Sequence, residues 1–404
     1  MSERHRFEKV VQLPYVLLKS IGYDFFERPC SPWKKSLLIL YFISSLICCA
    51  AFTYFAMGLA WAKIVSGAHD IPILLRLIDD VVYNIVSILK SFYFMRNIKS
   101  LKQIYHKFRE MFPTTMEDRL AYRLNDYGWP KWVSIILYSQ FISLSTIFII
   151  PIVESFVRYA IALSKVGYAS AEFSYLRLYE EKTYGIDHYN PLGYAVVQTL
   201  DFMNCHYCLI WMICPDLWLV AFAIQLCMHF DYISRTLESY EPSEKRSQED
   251  SKVLAELIKK HQVVLDLADA VQENFSAIIL VMVFSTASVL FGITELVLTQ
   301  GVNAHVLGYL AFVPTGVAQY FMVCYYGQLI INKSLYISEA AYNQIWYNGS
   351  QSYKKSILTI IRRAQRHCEI NAGGFQTTNL PAFEAVMRMT YQLFAIWSTM
   401  MEEK

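Results

Sequence analysis

The chain has 404 residues, of which 55% are hydrophobic and 17% charged, and 36 Lys and Arg stand against 34 Asp and Glu for a net charge of +2. Soluble domains average about 45–50% apolar and about 25% charged residues, so a shift in both directions predicts an integral membrane protein. Disordered regulators, collagens and nucleic-acid-binding modules recognised by bulk charge are excluded.

A bilayer core of about 30 Å needs about 20 apolar residues per helix. In chain order the candidates are Leu37 to Ala62, Ile71 to Met95, Trp132 to Val153, Tyr189 to His229, Asn274 to Thr294, Val306 to Ile331 and Leu380 to Met401, seven spans in all. The first, third, fifth and sixth hold no charge, and the fourth is interrupted only by Asp201 and Asp216. The first 36 residues are mixed and polar and show no small-residue cleavage pattern, so the first apolar run is expected to be a true span rather than a signal peptide.

Lys and Arg number seven in Met1 to Ser36, and eight, six and six in Met95 to Lys131, Asp231 to Lys260 and Asn332 to Gln376. The alternate segments hold one, four, none and one, a division of 27 against 6. By the positive-inside rule the N-terminus is cytoplasmic and the C-terminus external. That is opposite to G-protein-coupled receptors, whose usual loop disulfide also has no counterpart, since all nine cysteines fall in spans or cytoplasmic segments. The string Asn190-Pro191-Leu192-Gly193-Tyr194 imitates the NPxxY of that class but opens span four, where it reads as a helix start with Pro191 in the first turn.

In span two, Arg76 is placed to pair with Asp79 or Asp80, and Lys90 is expected to snorkel toward the cytoplasmic interface. Cys205-His206-x-Cys208 has metal-ligand types, but it lies in an apolar helix with no second ligand pair nearby, so packing is the expected role. There is no nucleophile elbow, phosphate loop or HExxH, so neither an enzyme nor a cofactor is expected.

Beyond His229 the apolar pattern runs on through Ile233 and Leu237, and Lys252 to Glu273 sets Val253, Leu257, Val264, Leu267 and Val271 at helical spacing. Tyr240 to Asp250 is a linker. Tyr353 to His367 puts Ile357, Ile360, Ile361 and Ala364 on one face, and Ala372-Gly373-Gly374 stops it. These stripes need burial, and a cytoplasmic helical bundle supplies it. The basic residues Lys354, Lys355, Arg362, Arg363 and Arg366 read as a solvated face, with anionic lipid or nucleotide binding as the alternative.

Leu380 to Met401 carries Glu384 and Arg388, which at i,i+4 can pair on one face. From these residues alone two readings stay open: a polar-faced helix lining a pore in several symmetric copies, or a buried span with a satisfied ion pair.

The strings AYNQIWY (Ala341 to Tyr347), KKSILTIIRRAQR (Lys354 to Arg366), AGGF (Ala372 to Phe375) and LPAFEAVMRMTYQLFAIW (Leu380 to Trp397) closely resemble the insect odorant receptor family. The resemblance implies an all-α, seven-span membrane protein whose extensions of spans four to seven form a cytoplasmic anchor. It divides the chain into 1–230 (N-terminal segment and spans one to four, the ligand-pocket region), 231–273 (cytoplasmic helices and linker), 274–331 (spans five and six), 332–379 (anchor helices) and 380–404 (pore-lining span seven).

The implied function is an odorant-gated nonselective cation channel in the plasma membrane of olfactory sensory neurons. Thr390-Tyr391 is followed by Trp397-Ser398 where gustatory relatives have Gln-Phe, and Tyr240 to Asp250 is far shorter than the insert of the family's co-receptor. Both point to a tuning subunit assembled with co-receptor subunits. The other implied partners are a small volatile organic ligand, the lipid bilayer and permeating cations, and no nucleic acid. The alternative is a metabotropic seven-span chemoreceptor or a gustatory-type receptor channel.

By position in the matched last-span motif, Phe394 falls at the family's hydrophobic gate, with Leu393 beside it and Gln392 and Ser398 as further pore-lining candidates. Family ligands enter a pocket in the outer halves of spans two, three, four and six. Here those halves offer Val81, Tyr83, Ser145, Ile149, Thr199, Met203, Tyr207, Tyr309 and Phe312.

Overall fold

In an apolar medium a backbone must satisfy its own N–H and C=O groups, and long runs of aliphatic and aromatic residues with few breakers do so as helices. The computed structural model describes residues 4–27, 31–65, 71–166, 186, 190–300 and 313–402. Its helices are α1 (Arg4–Ser20), α2 (Pro32–Val65), α3 (Ile71–Arg96), α4 (Ile98–Met111), α5 (Met116–Ala121), α6 (Lys131–Val166), α7 (Pro191–Ser239), α8 (Ser247–Gln300), α9 (Val313–Asn343), α10 (Gln351–Ala364) and α11 (Leu380–Glu402). The apolar runs of the sequence fall on α2, α3, α6, α7, α8, α9 and α11. Among the described residues, Pro32–Val65, Pro191–Ser239 and Glu244–Leu290 are long and apolar enough to cross a membrane.

The bundle is built around α7, which packs against α1, α2, α3, α6, α8 and α9. Its most apolar stretch is 94% buried, whereas that of α2 is 22% buried, so α7 is the core and α2 the outside. A helix apolar on every side needs such an enclosure, and Trp211, Trp218, Phe222 and Phe230 fill it. The start of α7 is fixed locally: Asn190 Oδ1 accepts from the Gly193 N–H at 2.7 Å, and Pro191 occupies the first turn, as the sequence predicts.

With 49 and 54 residues, α7 and α8 are about 73 and 81 Å long, each more than twice a bilayer core. Their far ends pack with α10 and the end of α9 into a helical cluster in which Leu237, Leu257, Val264, Leu267, Val271, Ile337, Ile357 and Ile360 are buried. The 240–246 turn is held by Asp250, whose carboxylate accepts from the Tyr240 hydroxyl and the Ser243 N–H, both at 2.7 Å.

One element departs from an all-α reading. Ala372-Gly373-Gly374 does more than end a helix: Asn371–Ala372 (β1) and Gln376–Thr377 (β2) pair antiparallel, with Asn371 opposite Thr377. Gly373 and Gly374 make the turn at φ of 59° and 77°, a region glycine enters without a Cβ penalty. Gln272 of α8 grips the hairpin, donating to Asn371 Oδ1 at 2.6 Å and accepting from the Asn371 N–H at 2.7 Å.

Lys90 does not snorkel. It is 0% exposed, its Nζ donating to Asp216 Oδ2 at 2.8 Å and to the Met212 carbonyl at 2.9 Å. Gln319 of α9 donates to the same carboxylate oxygen and, at 2.7 Å, to the same carbonyl. A lone charge at the bilayer centre costs about 2.5–3.5 kcal/mol, and a counter-charge within reach removes the incentive to leave. The side chains of Arg76 and Asp79 lie outside the described residues; the Asp80 carbonyl accepts from Asn84 Nδ2 at 2.8 Å.

The hairpin lies hard against α9 at Gly327, where a Cβ would stand 2.0 Å from the Thr378 carbonyl oxygen, whereas a Cβ at Gly316 would meet nothing within 4 Å. Gly327→Ala is therefore expected to cost about 1–3 kcal/mol of stability and Gly316→Ala little. Thermal unfolding of the detergent-solubilised protein checks this; equal melting points for the two variants would contradict the close approach.

Candidate ligand pocket and pore helix

The last helix, α11, begins on an Asn379 cap, with Oδ1 accepting from the Ala382 N–H at 2.9 Å. It packs against α8 and α9, burying Ala382 and Val386, and Phe383 meets the rings of Tyr320 at 5.6 Å and Phe321 at 5.4 Å. The opposite side is largely uncovered among the described residues. There Arg388 Nη2 pairs with Glu384 Oε1, as the i,i+4 spacing predicts, with both side chains 67% exposed. Tyr391, Leu393 and Ile396 are exposed beside them. An exposed ion pair on a helix otherwise suited to hydrocarbon requires that this face meet water or another polypeptide rather than lipid tails.

The four pore candidates spread around this helix. Gln392 and Leu393 are exposed, while Phe394 and Ser398, one turn apart, are half-buried on a common face. The described pocket candidates are spread over several environments. Tyr207 is fully buried, its hydroxyl donating to Ser91 Oγ at 3.2 Å and its ring 6.2 Å from Trp211. Tyr83 and Met203 are half-buried. Val81 lines an outward groove of about 710 Å³ between α2 and α3, with Tyr54, Phe55 and Trp61. Thr199 and Ile149 are exposed, the Thr199 hydroxyl donating to the Ala195 carbonyl at 2.8 Å. The side chain of Ser145 on α6, and Tyr309 and Phe312 altogether, lie outside the described residues.

A polar seam between α3 and α7 escaped the sequence reading. Asn84 Oδ1 accepts from Cys49 Sγ and Cys208 Sγ, both at 3.3 Å, and the two sulfurs are 3.6 Å apart. Ser87 Oγ donates to the Cys208 carbonyl at 3.3 Å, and Ser91 receives Tyr207. The available signal was the spacing of Asn84, Ser87 and Ser91 at i, i+3 and i+7, a polar stripe on one helical face. In the Cys205-His206-x-Cys208 string, Cys208 belongs to this seam, while His206 Nδ1 sits 3.0 Å from the Tyr41 hydroxyl.

Between α6, α7 and α9 lies a cavity of about 420 Å³ with an aromatic lining of Tyr127, Trp132, Phe321, Tyr325 and Tyr326 over Ile224 and Cys227. Beyond it Asp231 pairs with Lys333 at 2.6 Å and Arg235 at 2.7 Å. Burial works to raise the Asp231 carboxyl, but the hydrogen bond and charge of Lys333, with Arg235, hold it below the usual carboxylate range.

Residues 80–391 match the family described as 7tm Odorant receptor, and the chain belongs to that family. Over nearly its full length it is 28% identical to odorant receptor 49a of Drosophila melanogaster (98% of each chain) and 27% identical to odorant receptor 85f of the same fly (99% of each). The odorant receptor coreceptor of Anopheles gambiae matches 34% of this chain and 29% of its own length, at 28% identity. The fold is that of the insect olfactory receptor OR5 from Machilis hrabei, with a TM-score of 0.72, 14% identity and coverage of 96% of this chain and 97% of that one; its complex with eugenol aligns at 0.70. That family is one of membrane receptors or channels rather than of enzymes.

In the cluster formed by the far ends of α7 and α8 with α10, His261 is 6% exposed, and burial followed by the Arg363 charge lowers its pKa from 6.5 to about 4. Between those two values the unfolded chain takes up a proton that the folded state refuses, so stability falls as pH drops from 6.5 toward 4. His261→Phe should flatten that limb in thermal unfolding measured across pH; an unchanged slope would remove His261 as the cause.

Proposed function

We infer that this chain is the tuning subunit of a heteromeric, odorant-gated, nonselective cation channel assembled with the odorant co-receptor in the plasma membrane of olfactory sensory neurons. In this reading α2, α3, α6, α7, α8, α9 and α11 are the seven spans, the N-terminus is cytoplasmic and the C-terminus external, following the 27 to 6 division of Lys and Arg. The observation that carries it is the face of α11 left uncovered among the described residues, with its exposed Glu384–Arg388 pair, on a helix held chiefly at α8 and α9. Several copies of such a face turned toward a common axis enclose water. Residues 231–273 and 332–379 then form the anchor, 1–230 holds the ligand region, and 380–404 lines the pore.

Phe394 is the proposed gate. An apolar ring at a constriction blocks ions by dewetting, without any charge. Leu393, Gln392 and Ser398 line the adjoining turns. The ligand is a small apolar or aromatic volatile, held by residues drawn from Val81, Tyr83, Ser145, Ile149, Thr199, Met203, Tyr207, Tyr309 and Phe312. Burial yields about 0.8 kcal/mol per CH₂, and Tyr or Thr hydroxyls add orientation. The ligand opens the channel to the extent that it binds the open state more tightly than the closed one.

Expression with the co-receptor should give odorant-evoked cation current that persists when G-protein signalling is blocked, and none without this chain. Current that vanishes under the block would establish the metabotropic reading instead. External labelling of an N-terminal epitope on intact cells should fail. Phe394→Ala should raise leak or alter ion selectivity; unaltered conductance, selectivity and gating would take Phe394 out of the pore.

A further inference from the structure

We propose that the buried Lys90–Asp216–Gln319 cluster is a positioning device for gating, setting α9 against α3 and α7 and, through α9, the pore helix. The proposal rests on the channel reading above.

Three helices meet in the cluster. Lys90 of α3 and Gln319 of α9 converge on the same two acceptors of α7, the Asp216 carboxylate and the Met212 carbonyl. The Asn84, Ser87 and Ser91 bonds already join α3 to α7, so these two helices form one unit, and Gln319 ties α9 to it. The next two residues of α9 are Tyr320 and Phe321, whose rings hold Phe383 of α11. A slide or rotation of α9 that moves Gln319 therefore moves the rings on which the first turn of α11 rests.

Two further features make this junction able to switch. Asp216 Oδ1 is buried with no hydrogen-bond partner among the described residues, and its neighbour Leu217 lines, with Gln319 and Ala318, a gap of about 20 Å³. An unpaired buried acceptor raises the energy of the present arrangement and leaves a second one available, in which a small shift of α9 brings the Gln319 amide to Oδ1. The 420 Å³ cavity between α7 and α9 lies along α9 between Gln319 and the Lys333–Asp231 pair, so α9 has room to move between its two polar ties. A ligand that favours one arrangement through the outer halves of α3 and α7 biases the other end of the linkage.

The test uses the full chain expressed with the co-receptor, a panel of volatile esters, alcohols and phenols including eugenol, surface biotinylation, and concentration–response of the evoked current. Gln319→Leu should reach the surface, shift the half-maximal concentration at least tenfold and lower the maximal current per surface receptor. Gln328→Leu, an exposed amide bonded within α9 to Asn332, should do neither. Combined with Phe383→Ala, Gln319→Leu should shift the response by less than the product of the two single shifts, because both act through one contact. Gln319→Asn, too short to reach both acceptors, serves if the leucine variant does not reach the surface. A purely structural role would change surface amount and leave the concentration dependence of the remaining receptors at wild type; that result, multiplicative shifts, or absence of both variants from the surface would overturn the proposal. An unsubstituted receptor that gives no current with the co-receptor for any compound would instead count against the channel reading.

Discussion

The bundle depends on the enclosure of the middle of α7, whose most apolar stretch is 94% buried. A helix of 49 residues with aromatic and aliphatic side chains on every face is stable only if other helices surround it, and α1, α2, α3, α6, α8 and α9 do so. Because this stretch has almost no outer face, its polar groups must also be satisfied by neighbours. Asp216 finds Lys90 and Gln319, Cys208 finds Asn84, and Tyr207 finds Ser91. Each of these bonds fixes the register of a surrounding helix against the core, so apolar enclosure and polar specification come from the same element.

The last helix has the opposite condition. Among the described residues α11 is covered chiefly by α8 and α9, and its remaining surface carries an exposed ion pair and a row of large apolar residues. Among the described residues the chain thus contains one helix enclosed over most of its length and another covered on one side. The second condition follows naturally if copies of the subunit supply the missing cover, which is how membership in an olfactory receptor family bears on the geometry of a single subunit.

Much of this was legible in the sequence because it is local. The helix start at Asn190-Pro191, the Glu384–Arg388 pair and the stripe of Leu257, Val264, Leu267 and Val271 depend on residues within a turn or two of each other, where helical spacing decides contact. Lys90 was misplaced because its partner is 126 residues away, and no periodicity in span two reports a carboxylate on span four. The hairpin was read only as a stop, since two glycines signal positive φ but not the Gln272 side chain that makes pairing worthwhile. The pocket residues were chosen by depth in the membrane, which says nothing about rotation around the helix axis; Thr199 and Tyr207 lie on the same helix, one exposed and one sealed.

The hairpin that precedes α11 determines how that helix can move. It is gripped by Gln272 on α8 and pressed against α9 at Gly327, so the first turn of α11 moves only as α8 and α9 move, while its outer face packs on no other helix to any extent among the described residues. Phe394 lies 14 residues beyond Leu380, about 21 Å along the axis. For a pore lined as proposed, α11 is a lever pivoted at its cytoplasmic end. A tilt of about 5° carries Phe394 sideways by about 2 Å, and several such levers widen a constriction by roughly twice that, with side-chain contacts near the pivot hardly disturbed.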